Sequence, residues 1–182
     1  MENVPLIRQL MDYRTRWPGE SDVVARFVDF LDRNPNAFER SLPTGHVTGS
    51  AWLVDASETR VLLTHHKKLG KWIQLGGHAD GDSNVLRVAM REAKEESGLR
   101  SIEPVSLQIF DVDVHQIPAR PGEPEHLHWD VRYALRAAGS EPPSLSDESF
   151  ELRWVDVAGL DRIAPEESML RMAAKWLSRT CR

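Results

Sequence analysis

The chain has 182 residues, of which 41% are hydrophobic and 28% charged, and its net charge is −5. These values are typical of one globular domain, and they disfavour a general binder of nucleic-acid polymers, which needs positive charge against the phosphates. The single cysteine, Cys181, excludes a disulfide framework and argues against a thiolate zinc site. We expect a cytoplasmic protein, because no secretory signal opens the chain and no apolar run approaches the roughly 18 residues of a membrane span.

Two amphipathic helices are predicted near the start of the chain. Over residues 5–16, Pro5 suits a first helical turn and apolar residues recur on one face. A second apolar stripe covers residues 21–33, with Ser21 as the expected N-cap. Because such faces need a surface to cover, we expect residues 1–40 to form a helical extension packed on a domain of residues 41–182. The second helix could also pack on another copy of the chain, so a homodimer stays open.

From His46 onwards the pattern predicts a sheet with one helix in its middle and one at its end. Apolar or alternating runs predict strands at residues 47–54, 60–65, 71–75, 105–115, 127–135 and 150–155. Helical patterns occupy about 84–97, closed by Gly98, and the segment that starts near 165. About six strands with these helices predict an α/β sandwich around a mixed sheet. The expected core face of the middle helix consists of Leu86, Ala89, Met90 and Ala93.

Three glutamates lie on one flank of the middle helix, after a glycine-containing segment predicted to be a loop. Glu92, Glu95 and Glu96 are related by steps of three and four residues, so they are neighbours on the helix surface. Like charges at this spacing repel by roughly 0.2–0.5 kcal/mol per pair. A hard cation would relieve the repulsion, and carboxylate oxygens are the ligands that Mg²⁺ and Mn²⁺ prefer. The cluster therefore indicates metal-assisted phosphate chemistry.

The residues around these glutamates resemble the signature of the Nudix hydrolases. That signature is Gly, five residues, Glu, seven residues, then Arg-Glu-aliphatic-x-Glu-Glu-x-Gly-aliphatic. The matching positions are Gly77, Arg91, Glu92, Glu95, Glu96, Gly98 and Leu99. Ala93 stands at an aliphatic position, and Ser83 stands where the first Glu belongs. Ser83 can cap the helix but brings no charge, which Asp80 or Asp82 nearby could supply.

The resemblance implies a Nudix-type α/β/α sandwich and hydrolysis of a diphosphate bond in a nucleoside diphosphate linked to another moiety. It also implies Mg²⁺ or Mn²⁺ as the cofactor, ligated by the three glutamates and by the carbonyl of Gly76. Arg91 would orient Glu92 by a charge-assisted hydrogen bond. The general base varies within the family, and Glu92 and Glu148 are both candidates here.

A second polar cluster is predicted on two neighbouring strands. Over residues 110–115 and 126–135 polar and apolar side chains alternate, so the polar ones share one face of the sheet. Such a face is either the wet side of an antiparallel sheet or the wall of a substrate cleft. In the second interpretation the residues that contact substrate are His115, His126, His128 and Arg132. His78 lies beside the expected metal loop, and either contacts substrate as well or forms a hydrogen bond with the loop. A His-x-His pair on one strand can also bind a transition metal.

Two other functions stay open. Ser83 in place of the first Glu is compatible with a catalytically weak Nudix fold that binds nucleotides as a sensor. The fold also supports isomerisation of an isoprenoid diphosphate. The usual scheme for that reaction uses a cysteine beside the site, and Cys181 is badly placed for it.

Overall fold

The computed structural model describes residues 3–120, 122, 124–139 and 141–179, so Cys181 lies outside the described residues. Within these residues the helices are α1 (Val4–Arg16), α2 (Ser21–Arg33), α3 (Val85–Ser97) and α4 (Glu167–Arg179), with 3₁₀ turns at Pro18–Glu20 and Val157–Arg162. The strands are β1 (Gly45–Val54), β2 (Arg60–His66), β3 (Lys71–Ile73), β4 (Leu75–His78), β5 (Ile102–Pro104), β6 (Asp111–Ile117), β7 (His126–Ala137) and β8 (Ser149–Asp156). None of the helices in this part of the chain is long and apolar enough to cross a membrane.

All eight strands belong to one mixed sheet, whose centre is the pair β1 and β7. These two strands run parallel and are in register from Gly45 opposite Leu127 to Val54 opposite Arg136. The other pairings are antiparallel: β2 and β4 with β1, β5 and β6 with β7, and β3 and β8 with β2. The mixed sheet is the predicted one, with more strands than expected.

Two hydrophobic cores lie on the two faces of this sheet. Val47, Ala51 and Leu53 of β1 belong to the core that also contains α1, α2 and α3, whereas Trp52 and Val54 belong to the core under α4. The alternation follows from the two-residue period of a strand, which sends successive side chains to opposite faces. Helices therefore cover both faces, as the predicted sandwich requires.

Helices α1 and α2 contribute their apolar faces to the first core. The residues buried there include Leu6, Leu10, Tyr13, Val24, Phe27 and Leu31. The division into an extension of residues 1–40 and a domain of residues 41–182 stays a prediction. The expected cap was wrong: Glu20 is the N-cap of α2, because a 3₁₀ turn precedes the helix and Ser21 Oγ donates to the carbonyl of Pro18 at 2.6 Å.

Three strand predictions differ from the structure. The strand predicted over residues 71–75 is divided at Gln74 into β3 and β4. Residues 105–115 do not form one strand, because Pro104 ends β5 and an irregular segment separates it from β6. Gly76 and Gly77, expected in a loop, lie in strand β4.

The core face of α3 is also rotated from the predicted one. Val85, Val88, Ala89 and Ala93 are buried, while Leu86 and Met90 are only half buried. The cause is the close approach of α3 to Gly49 of β1, where a Cβ atom would lie 2.9 Å from Val88 Cγ1 and 3.0 Å from Val85 Cγ1. Gly98 ends α3 in the left-handed conformation (φ 67°), as predicted.

Candidate active site

A cleft of about 480 Å³ opens where the end of α3 meets strands β4, β1 and β7. Its volume is within the range of small-molecule sites, roughly 300–1,000 Å³. Acidic residues lining it include Glu92, Glu95, Glu96 and Glu148, and histidines lining it include His66, His78, His115 and His128. The cleft therefore brings together the glutamate flank and part of the polar strand face.

The two glycines of β4 allow the close approach of two different elements, α3 at Gly77 and β1 at Gly76. A Cβ atom at Gly77 would lie 2.5 Å from Oε2 of Glu92, and one at Gly76 would overlap the side chain of Ser50. The backbone N–H of Gly76 donates to Oε1 of Glu96 at 3.3 Å. Glycine at position 77 thus leaves space for the carboxylate of Glu92, and glycine at position 76 lets β4 pair closely with β1.

The three glutamates differ in their exposure to solvent. Glu95 is exposed, Glu92 is half buried, and Glu96 is only 8% exposed. Burial raises the pKa of Glu96 to about 8, and the charges of Glu92, Glu148 and Glu95 act in the same direction. Burial also raises the pKa of Glu92, although its hydrogen bond with Arg91 opposes this.

Glu96 leaves one oxygen without a protein partner. Its Oε2 atom is buried and accepts no hydrogen bond from the described residues. A buried carboxylate in this state is costly unless it is protonated or neutralised by a cation. Glu92, Glu95 and Glu148 line the same cleft, and carboxylate oxygens are the donors that a hard divalent metal ion prefers.

Arg91 fixes the orientation of Glu92. Its Nη2 group donates to Oε1 of Glu92 at 2.8 Å and to the carbonyl of His78 at 2.7 Å. The hydrogen bond with Glu92 raises the pKa of Arg91, so the guanidinium stays charged. Arg91 thus joins α3 to the last residue of β4.

Glu148 reaches the same cleft from the segment before β8. Its side chain is 61% exposed, and its Oε2 atom lies 4.0 Å from Nε2 of His66. Burial lowers the pKa of His66 despite the opposing charge of Glu148.

Histidines form the other side of the cleft and its floor. His78 and His128 are half buried, and His126, 6% exposed, lies behind His128 with 3.3 Å between their Nε2 atoms. His46 of β1 joins them, with its ring centre 5.0 Å from that of His78 and 4.9 Å from that of His128. Burial, followed by the charges of His78 and His126, lowers the pKa of His46 to about 4.

His46 was missed because residues 47–54 were interpreted as an apolar run and their polar members were not considered. The available signal was the two-residue alternation of His46, Thr48 and Ser50, which share one face of β1. Thr48 and Ser50 donate to Oδ1 of Asp130 at 2.9 and 2.8 Å, so this face of β1 continues the polar face of β7.

Arg132 lies in a buried ion-pair cluster and not among the residues that line the cleft. Its side chain is 2% exposed and donates to Asp130 at 2.7 Å, to Asp111 at 3.1 Å and to Asp113 at 3.2 Å. Burial would lower its pKa, but the three aspartates raise it. Arg171 of α4 pairs with Asp111 and Asp113, so α4 covers the sheet face here.

Hydrogen bonds of Asp82 and Asn84, the two neighbours of Ser83, fix the turn before α3. The cap predicted for Ser83 is supplied by Asn84, whose side chain accepts a hydrogen bond from the backbone of Arg87 at 3.1 Å. Asp82 accepts from the backbone of Asn84 at 2.8 Å and from the side chain of Arg87 at 2.6 Å. Asp80 lines the cleft. Of the two aspartates, Asp80 thus brings a carboxylate to the cleft, whereas the carboxylate of Asp82 pairs with Arg87.

Comparison with known proteins assigns the family. A model of the NUDIX domain matches residues 44–177. The chain belongs to the Nudix family.

Several solved Nudix structures resemble the chain. One is a C. elegans Ap4A hydrolase binary complex, with 16% identity, 74% of this chain and 97% of that chain covered, and a TM-score of 0.60. Another is a NUDIX-family hydrolase from Clostridium perfringens, with 28% identity, 74% and 97% covered, and a TM-score of 0.55. A third is the E. coli dihydroneopterin triphosphate pyrophosphohydrolase, with 14% identity, 73% and 95% covered, and a TM-score of 0.55. No curated protein matches the chain.

As a Nudix hydrolase, the protein acts on pyrophosphate bonds, the acid anhydride bonds of phosphorus compounds. The predicted family and the predicted α/β/α fold are both confirmed. In the structure the Nudix signature falls on β4, the following turn and α3. Helices α1 and α2 precede the region that the family model matches.

Proposed function

We propose that this Nudix hydrolase uses Mg²⁺ or Mn²⁺ to cleave the diphosphate bond of a nucleoside diphosphate linked to another moiety. The observation that carries the proposal is the state of Glu96. Its carboxylate is buried, has a raised pKa, and lines the same cleft as the other glutamates, a cleft large enough for a small molecule. A carboxylate in this setting is stabilised by a bound cation.

The metal would be held by the carboxylates of Glu92, Glu95 and Glu96 and by the backbone carbonyl of Gly76. All four donors are oxygen atoms, which is the ligand type that Mg²⁺ and Mn²⁺ prefer. When bound, such an ion polarises a phosphoryl oxygen and lowers the pKa of an attacking water molecule.

Arg91 is proposed as a positioning residue. Its two hydrogen bonds, to Glu92 and to the carbonyl of His78, connect α3 to β4 next to the Glu92 carboxylate. Because charge-assisted hydrogen bonds are short and directional, they hold the Glu92 carboxylate in one orientation. A fixed orientation matters, since small misplacements of catalytic groups cost large factors in rate.

Glu148 is the better candidate for the general base. Glu92 already accepts a hydrogen bond from Arg91 and is half buried, whereas the Glu148 carboxylate is 61% exposed and lines the cleft. In this scheme the Glu148 carboxylate accepts the proton of the attacking water. The Nε2 atom of His66 lies 4.0 Å from this carboxylate.

The substrate anion would meet the basic side of the cleft. His78, His115 and His128 line it, as do Arg40, Lys68 and Arg120. The proposal leaves out two of the contacts predicted from the sequence. Arg132 is held by three aspartates, and His126 is buried behind His128 with its Nδ1 atom 2.8 Å from the carbonyl of Pro124.

A panel of nucleoside diphosphate derivatives, assayed with Mg²⁺ and with Mn²⁺ for release of phosphorylated products, tests the proposal. Glu95→Gln should lower activity by orders of magnitude, because it removes a metal ligand. It should leave the melting temperature nearly unchanged, because Glu95 is exposed. Glu167→Gln, an equal loss of charge at an exposed position on α4, is the matched control and should keep its activity.

The panel also tests the alternative that Ser83 motivates, a Nudix-fold protein that binds nucleotides as a sensor. If calorimetry shows that wild-type protein binds members of the panel and none is hydrolysed, the nucleotide sensor replaces the nucleoside diphosphate hydrolase proposed here. Wild-type turnover by Glu95→Gln would overturn the ligand assignment alone.

A further inference from the structure

Three histidines from three adjacent strands meet at the floor of the cleft. His46 and His128 are register partners on β1 and β7, and His78 is on β4, where it pairs with Thr48 of β1. One nitrogen from each ring can be chosen so that the three atoms lie within 4.8 Å of one another. A sheet positions side chains more rigidly than loops do, so the cluster is largely preorganised.

The ring of the central member, His46, forms no hydrogen bond with the described residues. His46 is 3% exposed, and neither of its ring nitrogens has a hydrogen-bond partner among the described residues. A buried polar atom left in this state costs free energy, and native structures keep few of them without a reason. The centre of its ring lies 5.0 Å from the ring centres of His78 and His126 and 4.9 Å from that of His128. Such ring contacts do not supply hydrogen bonds to the nitrogens.

We propose that His46, His78 and His128 form a second metal site, which binds a borderline transition-metal cation such as Zn²⁺. Zinc binds imidazole nitrogen at about 2.0–2.1 Å, which places ligands of a tetrahedral site roughly 3.4 Å apart. The three nitrogens reach this separation if their rings shift by about 1 Å, a change within the range of side-chain rotation. Coordination would satisfy one of the two unpartnered nitrogens of His46.

This site differs in chemistry from the glutamate site beside it. Imidazole ligands suit Zn²⁺, Cu²⁺ and Ni²⁺, whereas carboxylate and carbonyl oxygens suit Mg²⁺ and Mn²⁺. The protein would therefore bind two classes of cation selectively within one cleft. This inference does not depend on the proposed substrate.

Three protein ligands leave one tetrahedral position open. His78 and His128 line the cleft, so the open position would face it. An anionic group of a substrate could then coordinate the bound ion, and would not contact the imidazoles of His78 and His128 directly. The geometry thus gives the histidine side of the cleft a specific means of binding an anion.

The test measures binding of Zn²⁺ to metal-free protein in the presence of millimolar Mg²⁺, which occupies the carboxylates. Titration against a chromophoric zinc chelator gives the affinity, and the absorption of bound Co²⁺ reports four-coordinate geometry. We expect one Zn²⁺ per chain for wild-type protein. His46→Ala and His78→Ala should each weaken binding by at least about 10-fold, the lower end of effects seen when groups at a metal site are altered.

Two controls separate this site from other histidines and from the glutamates. His65→Ala removes a histidine that stacks on Trp72 away from the cluster and should leave the affinity for Zn²⁺ unchanged. Glu95→Gln should also retain Zn²⁺ and the Co²⁺ spectrum. If His46→Ala does not fold, the variant at the half-buried His78 decides the outcome.

The opposite pattern would overturn the proposal. Zinc binding that survives both histidine substitutions and disappears in Glu95→Gln would place the ion among the carboxylates. Failure of wild-type protein to bind Zn²⁺ would show that the three rings only pack against one another.

Discussion

Replacing Glu96 by Gln should stabilise the metal-free protein at neutral pH while impairing its metal site. The wild-type carboxylate is buried and its pKa is raised from 4.5 to about 8. The folded protein therefore keeps a proton on Glu96 over a pH range in which the unfolded chain has lost it. Glutamine has nearly the same shape and no proton to lose, so it removes this pH dependence.

The size and sign of the effect follow from proton linkage. Below about pH 4.5 both states are protonated, and Glu96 costs nothing. As the pH rises from 4.5 towards 8, only the unfolded state loses its proton, so the free energy of unfolding falls by up to about 1.4 kcal/mol per pH unit. At pH 7 the wild-type protein should be less stable than Glu96→Gln by up to about 3 kcal/mol.

Urea unfolding of both proteins, in EDTA and at pH values from 4.5 to 8, measures this difference. Groups that titrate equally in the two proteins cancel in the comparison, which isolates Glu96. Added Mg²⁺ should then stabilise the wild-type protein much more than the variant, because binding to the folded state alone adds to stability. A difference between the proteins that stays constant over this pH range would refute the reasoning.

Two further substitutions test the scaffold of the site. Arg132→Met should lower the free energy of unfolding by about 3–5 kcal/mol in urea, because it leaves the buried carboxylate of Asp130 without the cation that it pairs with. The exposed pair Arg33–Asp29 is the control, and Arg33→Met should cost at most about 1 kcal/mol. Gly77→Ala places a Cβ atom 2.5 Å from Glu92 Oε2 and should lower kcat by about 100-fold, as measured with the best substrate of the panel; unchanged kcat would show that Glu92 can move without loss.

Local patterns predicted most of the fold. The four helices follow from the 3.6-residue period of their apolar faces, and β7 follows from alternation with a period of two. Apolar runs predict β1 and β2, and β1 is buried along its whole length. Short strands were harder to predict. β3 and β5 have three residues each, too few to show a period, and their pairing with β2 and β7 is a tertiary effect.

Only part of the candidate site could be predicted from the sequence. The glutamate flank depends on helical spacing and signature register, so its position in the cleft could be predicted. The burial of Glu96 could not, because it depends on how closely α3 approaches β4 at Gly76. His46 belongs to a strand more than 80 residues before its register partner His128, a distance in sequence that no local pattern spans.

The polar face of β7 has two environments, and what covers each part decides its role. At Arg132 the basic side chains of α4 lie over the face, and Arg171 joins the ion pairs with Asp111. At His128 the face lines the cleft. Asp130 joins the two parts, because one carboxylate oxygen accepts from Thr48 and Ser50 while the other accepts from Arg132. Period-two alternation places all these polar groups on one side of the sheet, but only the covering helix separates those that stabilise the fold from those that can meet a ligand.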